Sequence, residues 1–397
     1  MLYNLLTKEN IMTDKLYFLQ PHLKDFSATV ISCTPAENGL YALLLDRTAF
    51  FPEGGGQDSD EGYFTFGSEE IKVVSLADKG DEVVHYVKAP LTEGSIIEGH
   101  IDYELRFSRM QNHSGEHILS GIAHSLYGCN NVGFHMGKDE ITLDFDIELS
   151  REQIDSLEAL ANRAVYQNVP FITLFPSEEE LKELDYRSKK ELSGRVRLVS
   201  VGGYDLCACC APHVELSGEI GLIKIIGFIR YKGGVRLSIL CGADAFAHYR
   251  HSHESIKGIS VLLSAKHHEA LPAVERLNTE LSAAKAEASS IRSAYARLLL
   301  SSLKEVDGNH VIFDDILDTA ARRALANGGA ALCSGICAVF AKSGNGYTYV
   351  MASTRLDLKA LACEINAALG GRGGGSASMI TGSVSADREK IKEYFKA

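Results

Sequence analysis

The chain has 397 residues, 45% of them hydrophobic and 23% charged; the length predicts two or three domains, and the balance excludes a wholly disordered, collagenous or coiled-coil protein. Forty Lys plus Arg against 52 Asp plus Glu give a net charge of −12, so bulk charge does not make a general nucleic-acid binder and any RNA contact must come from local basic patches. The most apolar run, 220–229, carries Lys224 and is too short to span a bilayer, and the first residues are too poor in apolar side chains for a secretory signal, so a soluble, cytoplasmic protein with no membrane partner is expected.

From Lys15 to about Pro90, short β-type runs (FSATVISC, YALLLD, EEIKVVSL) alternate with turn residues and a dense glycine segment, Gly54 to Gly56. That pattern predicts a β-barrel-like domain over 1–95. The composition then shifts near His100. Tyr103 to Tyr127 reads as a helix stopped by Gly128, ITLDFDIELS reads as a strand, and Ser150, heading S-R-E-Q, caps the helix that follows. Two strand-like runs, RVRLVSV at 195–201 and GLIKIIGFIRYKGGVRLSIL at 221–240, bracket a cysteine cluster. Residues 96–250 are therefore expected to form an α+β domain.

After Pro272, the residues Val274, Leu277, Leu281, Ala284, Ala288, Ile291, Tyr295 and Leu298 recur by threes and fours. This is an a/d seam, and it predicts a helical arm over 251–305 that packs either on its own chain or on a second copy. The segment 306–397 alternates strands (HVIFDDI, ALCSGICAVFAK, GYTYVMAST) with helices (DLKALACEINAAL, DREKIKEYFKA), the pattern of a compact α/β module. Between those helices lies LGGRGGGSASMITG, 369–382. The fold class as a whole is α+β.

Nine cysteines is an odd number, and Cys207, Cys209 and Cys210 are crowded together. Where thiols stay reduced, such crowding points to metal binding or chemistry before disulfides. His113 and His117, in H-S-G-E-H, are four apart on a predicted helix, so both imidazoles lie one turn apart on one face and can reach a single ion. Cys209 and His213, in D-L-C-A-C-C-A-P-H-V, repeat the spacing. Three imidazoles and a thiolate suit a borderline-soft ion such as zinc. Cys207 and Cys210 compete with Cys209 for the thiolate position. A zinc peptidase would carry glutamate directly after the first histidine, and position 114 is serine.

H-x-x-x-H followed by C-x-x-x-H resembles the editing domain of alanyl-tRNA synthetase and its free-standing relatives, the AlaX proteins; threonyl-tRNA synthetase carries a similar domain. F-F-P-E-G-G-G-Q, 50–57, resembles that family's FYPEGGGQ. K-G-G-V-R, 232–236, with Cys241-Gly242 after it, resembles the closing strand, and GGRGGGSASM resembles the glycine motif of a DHHA1-type module. The resemblance runs over nearly the whole chain in the family's order. It implies the long AlaX form: a β-barrel domain, a zinc-dependent editing domain, a helical arm and an RNA-binding C-terminal module. This chain departs from the family's C-G-G-T-H at Cys209-Cys210-Ala211-Pro212-His213, from its HTA at His113-Ser114-Gly115, and from a glutamine-containing stretch at Met379-Ile380-Thr381.

What the resemblance implies is a hydrolase that removes a wrongly attached amino acid, serine or glycine, from tRNA(Ala), with Zn2+ held by His113, His117, Cys209 and His213. Its partner would be the aminoacylated 3′ end, with a homodimer through the arm and the C-terminal module. The alternatives are a non-catalytic zinc- and tRNA-binding protein, or a deacylase of a different aminoacyl-tRNA. Glu116 is then a candidate general base, against a second-shell or solvated role. Gly54, Gly55, Gly56 and Gln57 are candidates for substrate contact, since glycines admit a ligand close to the backbone and an amide both donates and accepts; the alternative is a tight hairpin with a surface glutamine. Thr48 matches a family position whose hydroxyl suits a serine side chain. For tRNA phosphates the candidates are RSKK at 187–190, Arg195, Arg197, Arg230, Lys232, Arg236 and Arg372.

Overall fold

The computed structural model describes residues 12–137, 140–188 and 196–396; Lys189, Lys190 and Arg195, named above as candidate phosphate contacts, lie outside these. Six strands close into a barrel in the order 25–35, 41–45, 83–87, 69–78, 62–66, 96–101. Alternation explains it. Phe26, Ala28 and Val30 on one strand and Ile71 and Val73 on another point inward at every second residue and meet Leu43, Phe64 and Ile97 in one core, and closing the sheet removes its exposed edges.

Helix α1 (Tyr103–Tyr127) leaves the last barrel strand. Asp102 caps it by accepting from the Leu105 amide, and Gly128 ends it in the left-handed conformation, φ 68°. From Met110 to Ala123 every α1 residue is buried, because other elements cover it on all sides. Helix α2 (Arg151–Gln167) begins with the predicted Ser150 cap, in a reciprocal box with Gln153, and a short α3 (Glu178–Glu183) follows. A four-stranded antiparallel sheet (223–231, 234–241, 141–145, 131–136) and a three-stranded one (171–174, 198–201, 205–208) complete the layer around α1. Ile118, Leu119 and Ile122 of α1 share its core with Leu157 of α2 and with Leu143, Leu237 and Ile239.

The chain divides into two compact units, Met1–Ser255 and Ile256–Ala397; the barrel and the α1 layer form the first. The division falls within α4 (Gly242–Leu262), a helix the periodicity did not predict. In the second unit α5 (Ala270–Ser302) carries the a/d seam and covers part of the span 251–305 expected for the arm. Leu277, Leu281, Ile291 and Leu298 of its seam are 49% or more exposed, so among the described residues they are not covered by their own chain. Helix α6 (Thr319–Ala330), also unpredicted, follows the first strand of a five-stranded sheet ordered 310–313, 337–343, 346–352, 379–384, 371–375, with α7 (Leu358–Leu369) and α8 (Arg388–Lys396). The glycine-rich segment thus forms two paired strands between α7 and α8, with Gly373 opposite Gly382. Among the described residues, no helix is long and apolar enough to cross a membrane.

Candidate metal centre

Helix α1 carries His113 and His117 one turn apart, and the loop after strand 205–208 brings Cys209 and His213 over them. The four donor atoms all lie within 4.8 Å of one another. The Cys209 Sγ is 3.6 Å from His113 Nε2 and 3.3 Å from His213 Nε2. A tetrahedral ion with bonds of about 2.0 Å to nitrogen and 2.3 Å to sulfur sets its donors roughly 3.5 Å apart, so the residues fit a zinc-sized cation.

Each imidazole also has its other nitrogen engaged. His113 Nδ1 lies 2.9 Å from Gln57 Oε1, His117 Nδ1 lies 2.9 Å from Asp205 Oδ2, and His213 Nδ1 lies 3.1 Å from Ser114 Oγ. All three partners accept a proton on Nδ1, which leaves the Nε2 lone pairs facing one point. Burial pushes His213 down to about 3, so its ring is neutral. Burial pulls His117 the same way, but its bonds to Asp205 and Cys209 win and hold it up at about 9; an ion bound there would displace a proton.

The three clustered cysteines are unlike one another. Burial opposes ionisation of Cys209, yet His113 and His213 draw its thiol well below the ordinary range. Burial pushes the Cys207 thiol far up. Cys210 is exposed on a cleft, yet the depth of protein around it and the Cys209 thiolate push its thiol up to about 11. A second group of metal-type side chains, His117, Asp205 and Cys207, is a supporting arrangement, because Asp205 is spent on His117 and on a bidentate bond to Arg187 at 2.7 and 2.8 Å.

Glu116 lies beneath the cluster, 1% exposed. Its Oε1 accepts from Ser120 at 2.6 Å and from Asn131, and its Oε2 stands 3.9 and 4.0 Å from the Nε2 atoms of His113 and His117. This corrects the solvated-helix reading, and Glu116 is not among the residues that line the cleft. Thr48 is corrected too. It is fully buried, donating its hydroxyl proton to Nε2 of His85, on barrel strand 83–87, at 2.8 Å and accepting from the Phe50 amide. Burial lowers His85 to about 4, so its neutral ring can accept that proton. Thr48 is not among the residues that line the cleft.

The cleft, about 830 Å3, opens against the cluster and is lined by Gly55, Gly56, His113, His117, Phe134, Arg197, Cys209 and Cys210, among others. Gly54 and Gln57 exchange backbone hydrogen bonds at 3.0 Å in a tight turn. At Gly56 (φ 85°) a Cβ would lie 2.5 Å from the Phe134 carbonyl oxygen, so only glycine fits. Gln57 is fully buried rather than on the surface, and its Nε2 has no partner among the described residues.

The candidate phosphate contacts separate. Arg236 makes a bidentate bond to Asp144 at 2.6 and 2.7 Å, and Arg187 is taken by Asp205. Arg197 is buried, donating to the carbonyls of Cys209 (2.7 Å) and Ala211 (2.9 Å) and to Thr173; it clamps the ligand loop. Arg230 lies on the surface near Glu148, a pair worth little. Lys232 sits at the 231–234 turn over the Tyr231 ring, and Arg372 is exposed on strand 371–375.

Sequence reasoning missed the acceptors behind the ligands. Ser114 was the available signal: where the family has a threonine, this chain keeps a hydroxyl. The glycine after it also has a reason, since a Cβ at Gly115 would lie 2.3 Å from the Cys241 Sγ.

Residues 23–105 match the family described as "tRNA synthetases class II (A)", and residues 196–238 match the "Threonyl and Alanyl tRNA synthetase second additional domain". Alanine–tRNA ligase of Pyrococcus furiosus is 32% identical over 75% of this chain and 33% of its own. Alanyl-tRNA editing protein Aarsd1-A of Xenopus laevis is 31% identical over 64% of this chain and 65% of its own. Alanyl-tRNA editing protein AlaX-L of Pyrococcus horikoshii is 28% identical over 68% and 67%. The chain spans about a third of the ligases and about two thirds of the editing proteins it matches. It resembles the AlaX-type editing proteins.

Proposed function

We propose that this protein is a trans-acting hydrolase that cleaves the ester between a wrong amino acid, serine or glycine, and the 3′ end of tRNA(Ala), with zinc as its cofactor. One observation carries the reading: three histidine Nε2 atoms and one thiolate converge at the wall of a cleft whose opposite lip is a glycine turn. His113, His117, Cys209 and His213 would hold the ion. Bound there, zinc supplies Lewis acidity toward a carbonyl or a water. Gln57 orients His113 and carries a spare donor, and Gly55 and Gly56 let a ligand approach their backbone. Asp205 and Ser114 hold the Nδ1 protons of His117 and His213. Four protein ligands describe a closed shell, and partly exposed Cys209 is the ligand nearest the opening.

Purified protein offered seryl-, glycyl- and alanyl-tRNA(Ala) is expected to release serine or glycine while sparing alanine, followed as loss of the labelled ester. Persistence of all three esters with metal bound would replace the hydrolase by the non-catalytic zinc- and tRNA-binding reading. Lys232 and Arg372 support tRNA contact, since no acidic partner holds them among the described residues, and Arg230 is held only by its exposed pair with Glu148. The exposed seam of α5 supports a homodimer, which a monomeric mass in solution would end.

A further inference from the structure

We infer that Cys210 is a specificity-determining residue: its side chain truncates the acyl end of the cleft, so that the site takes the side-chain-less glycyl ester and turns away alanyl and seryl esters by volume. This rests on the reading of the cleft as an aminoacyl-ester site. Position 210 is one of two where the resembling family has glycine in its C-G-G-T-H motif, so the side chain is a departure of this chain. It projects into the gap between the glycine turn and the metal ligands. The Cys210 Sγ lies 3.1 Å from where a Cβ on Gly54 would stand and 3.8 Å from one on Gly55; that second point is also 3.5 Å from His113 Cε1 and 3.9 Å from the Cys209 Sγ. The thiol therefore stands on the cleft wall beside the ligand cluster, on the side that the acyl substituent of an ester held at the cluster would meet.

The wall is also rigid. Arg197 bonds the carbonyls of Cys209 and Ala211, on either side of Cys210, and Ala211 is fully buried against Tyr17 and Phe51. Cys210 cannot swing out with its loop. Gln57, on the facing turn, has a fully buried amide nitrogen with no acceptor among the described residues. The other discriminator suggested by the sequence, the Thr48 hydroxyl, is occupied by His85. Exclusion by volume remains, and one carbon's difference in a fitted pocket is worth roughly 10- to 200-fold.

The test compares the wild type with Cys210→Gly and Cys210→Ser on glycyl-, alanyl- and seryl-tRNA(Ala). Wild type and Cys210→Ser, which keeps the wall, should favour the glycyl ester; Cys210→Gly should gain about tenfold or more on the alanyl and seryl esters relative to glycyl. An unchanged ratio in Cys210→Gly, with metal content intact, overturns the inference. Binding of adenosine bearing each amino acid through a hydrolysis-resistant 3′-amide is measured in parallel. If no ester is cleaved, the hydrolase reading fails, while a glycyl preference that Cys210→Gly erases still upholds the role of Cys210 and equal wild-type affinities sink it.

Discussion

Cys209→Ser is expected to strip the metal. The wild type should carry one equivalent of zinc per chain, and the variant close to none, because serine removes the single thiolate from a set that otherwise offers three imidazoles. Cobalt makes the assignment specific. The thiolate-to-cobalt absorption band should vanish in Cys209→Ser and persist in Cys207→Ser and Cys210→Ser, whose thiols are held protonated by burial and, at Cys210, by the neighbouring thiolate. Asp205→Asn should retain the ion but bind it about 10- to 100-fold more weakly, as expected when the acceptor behind a ligating histidine is lost. Ester hydrolysis should follow metal content through the series. A Cys209→Ser protein with stoichiometric zinc, or loss of the band in Cys207→Ser instead, would move the thiolate ligand elsewhere.

The second large effect concerns stability. Arg106 of α1 and Asp60 are both fully buried side chains. The guanidinium donates through Nε to Asp60 at 2.8 Å and through Nη2 to the same carboxylate and to the Ala49 carbonyl, while Nη1 reaches the Pro21 carbonyl at 3.2 Å. Asp60 also accepts from the Phe51 amide. The pair therefore ties the helix that carries His113 and His117 to both ends of the segment that carries the glycine turn. Asp60→Ala leaves a guanidinium with no counter-charge in a dry site, and about 3–5 kcal/mol of stability should go with it, a fall in melting temperature on the order of 10 °C. The double variant Asp60→Leu with Arg106→Met should recover most of that loss, since a buried ion pair replaced by apolar groups leaves nothing unpaired. Thermal unfolding checks both; an Asp60→Ala protein within about 1 kcal/mol of the wild type would show that water reaches the pair.

Much of the molecule was legible in local pattern. Helix α1 begins after its aspartate cap and ends at Gly128 because those residues satisfy the free ends of a helix wherever it lies. The Ser150 cap is legible for the same reason. The barrel followed from alternation of apolar residues, although which strand lies beside which did not. Helix α4 and helix α6 were not legible: α4 is mostly exposed and has no clean apolar stripe, and α6 buries Ala321, Arg322 and Gly329 as well as Leu325, small or charged residues that carry little periodic signal. The glycine run at 371–375 carries no side-chain alternation, yet it pairs with 379–384 because backbone groups alone suffice for a ladder.

At the site the division is sharper. By itself the sequence determined the donor types and their spacing of four, since one helical turn sets His113 beside His117 without help from the rest of the fold. Tertiary structure decided what each neighbouring group does. Gln57 meets His113 across 56 residues, His117 meets Asp205 across 88, and Ser114 meets His213 across 99. Such contacts exist only once the barrel, α1 and the cysteine loop have closed on one another. That closure buries Thr48 against His85, places Glu116 beneath the ligands, leaves Cys210 on the cleft and separates three cysteines by the charges around them. Local spacing is written into a chain by its own stereochemistry, whereas burial and long-range partners depend on every element that packs around a residue.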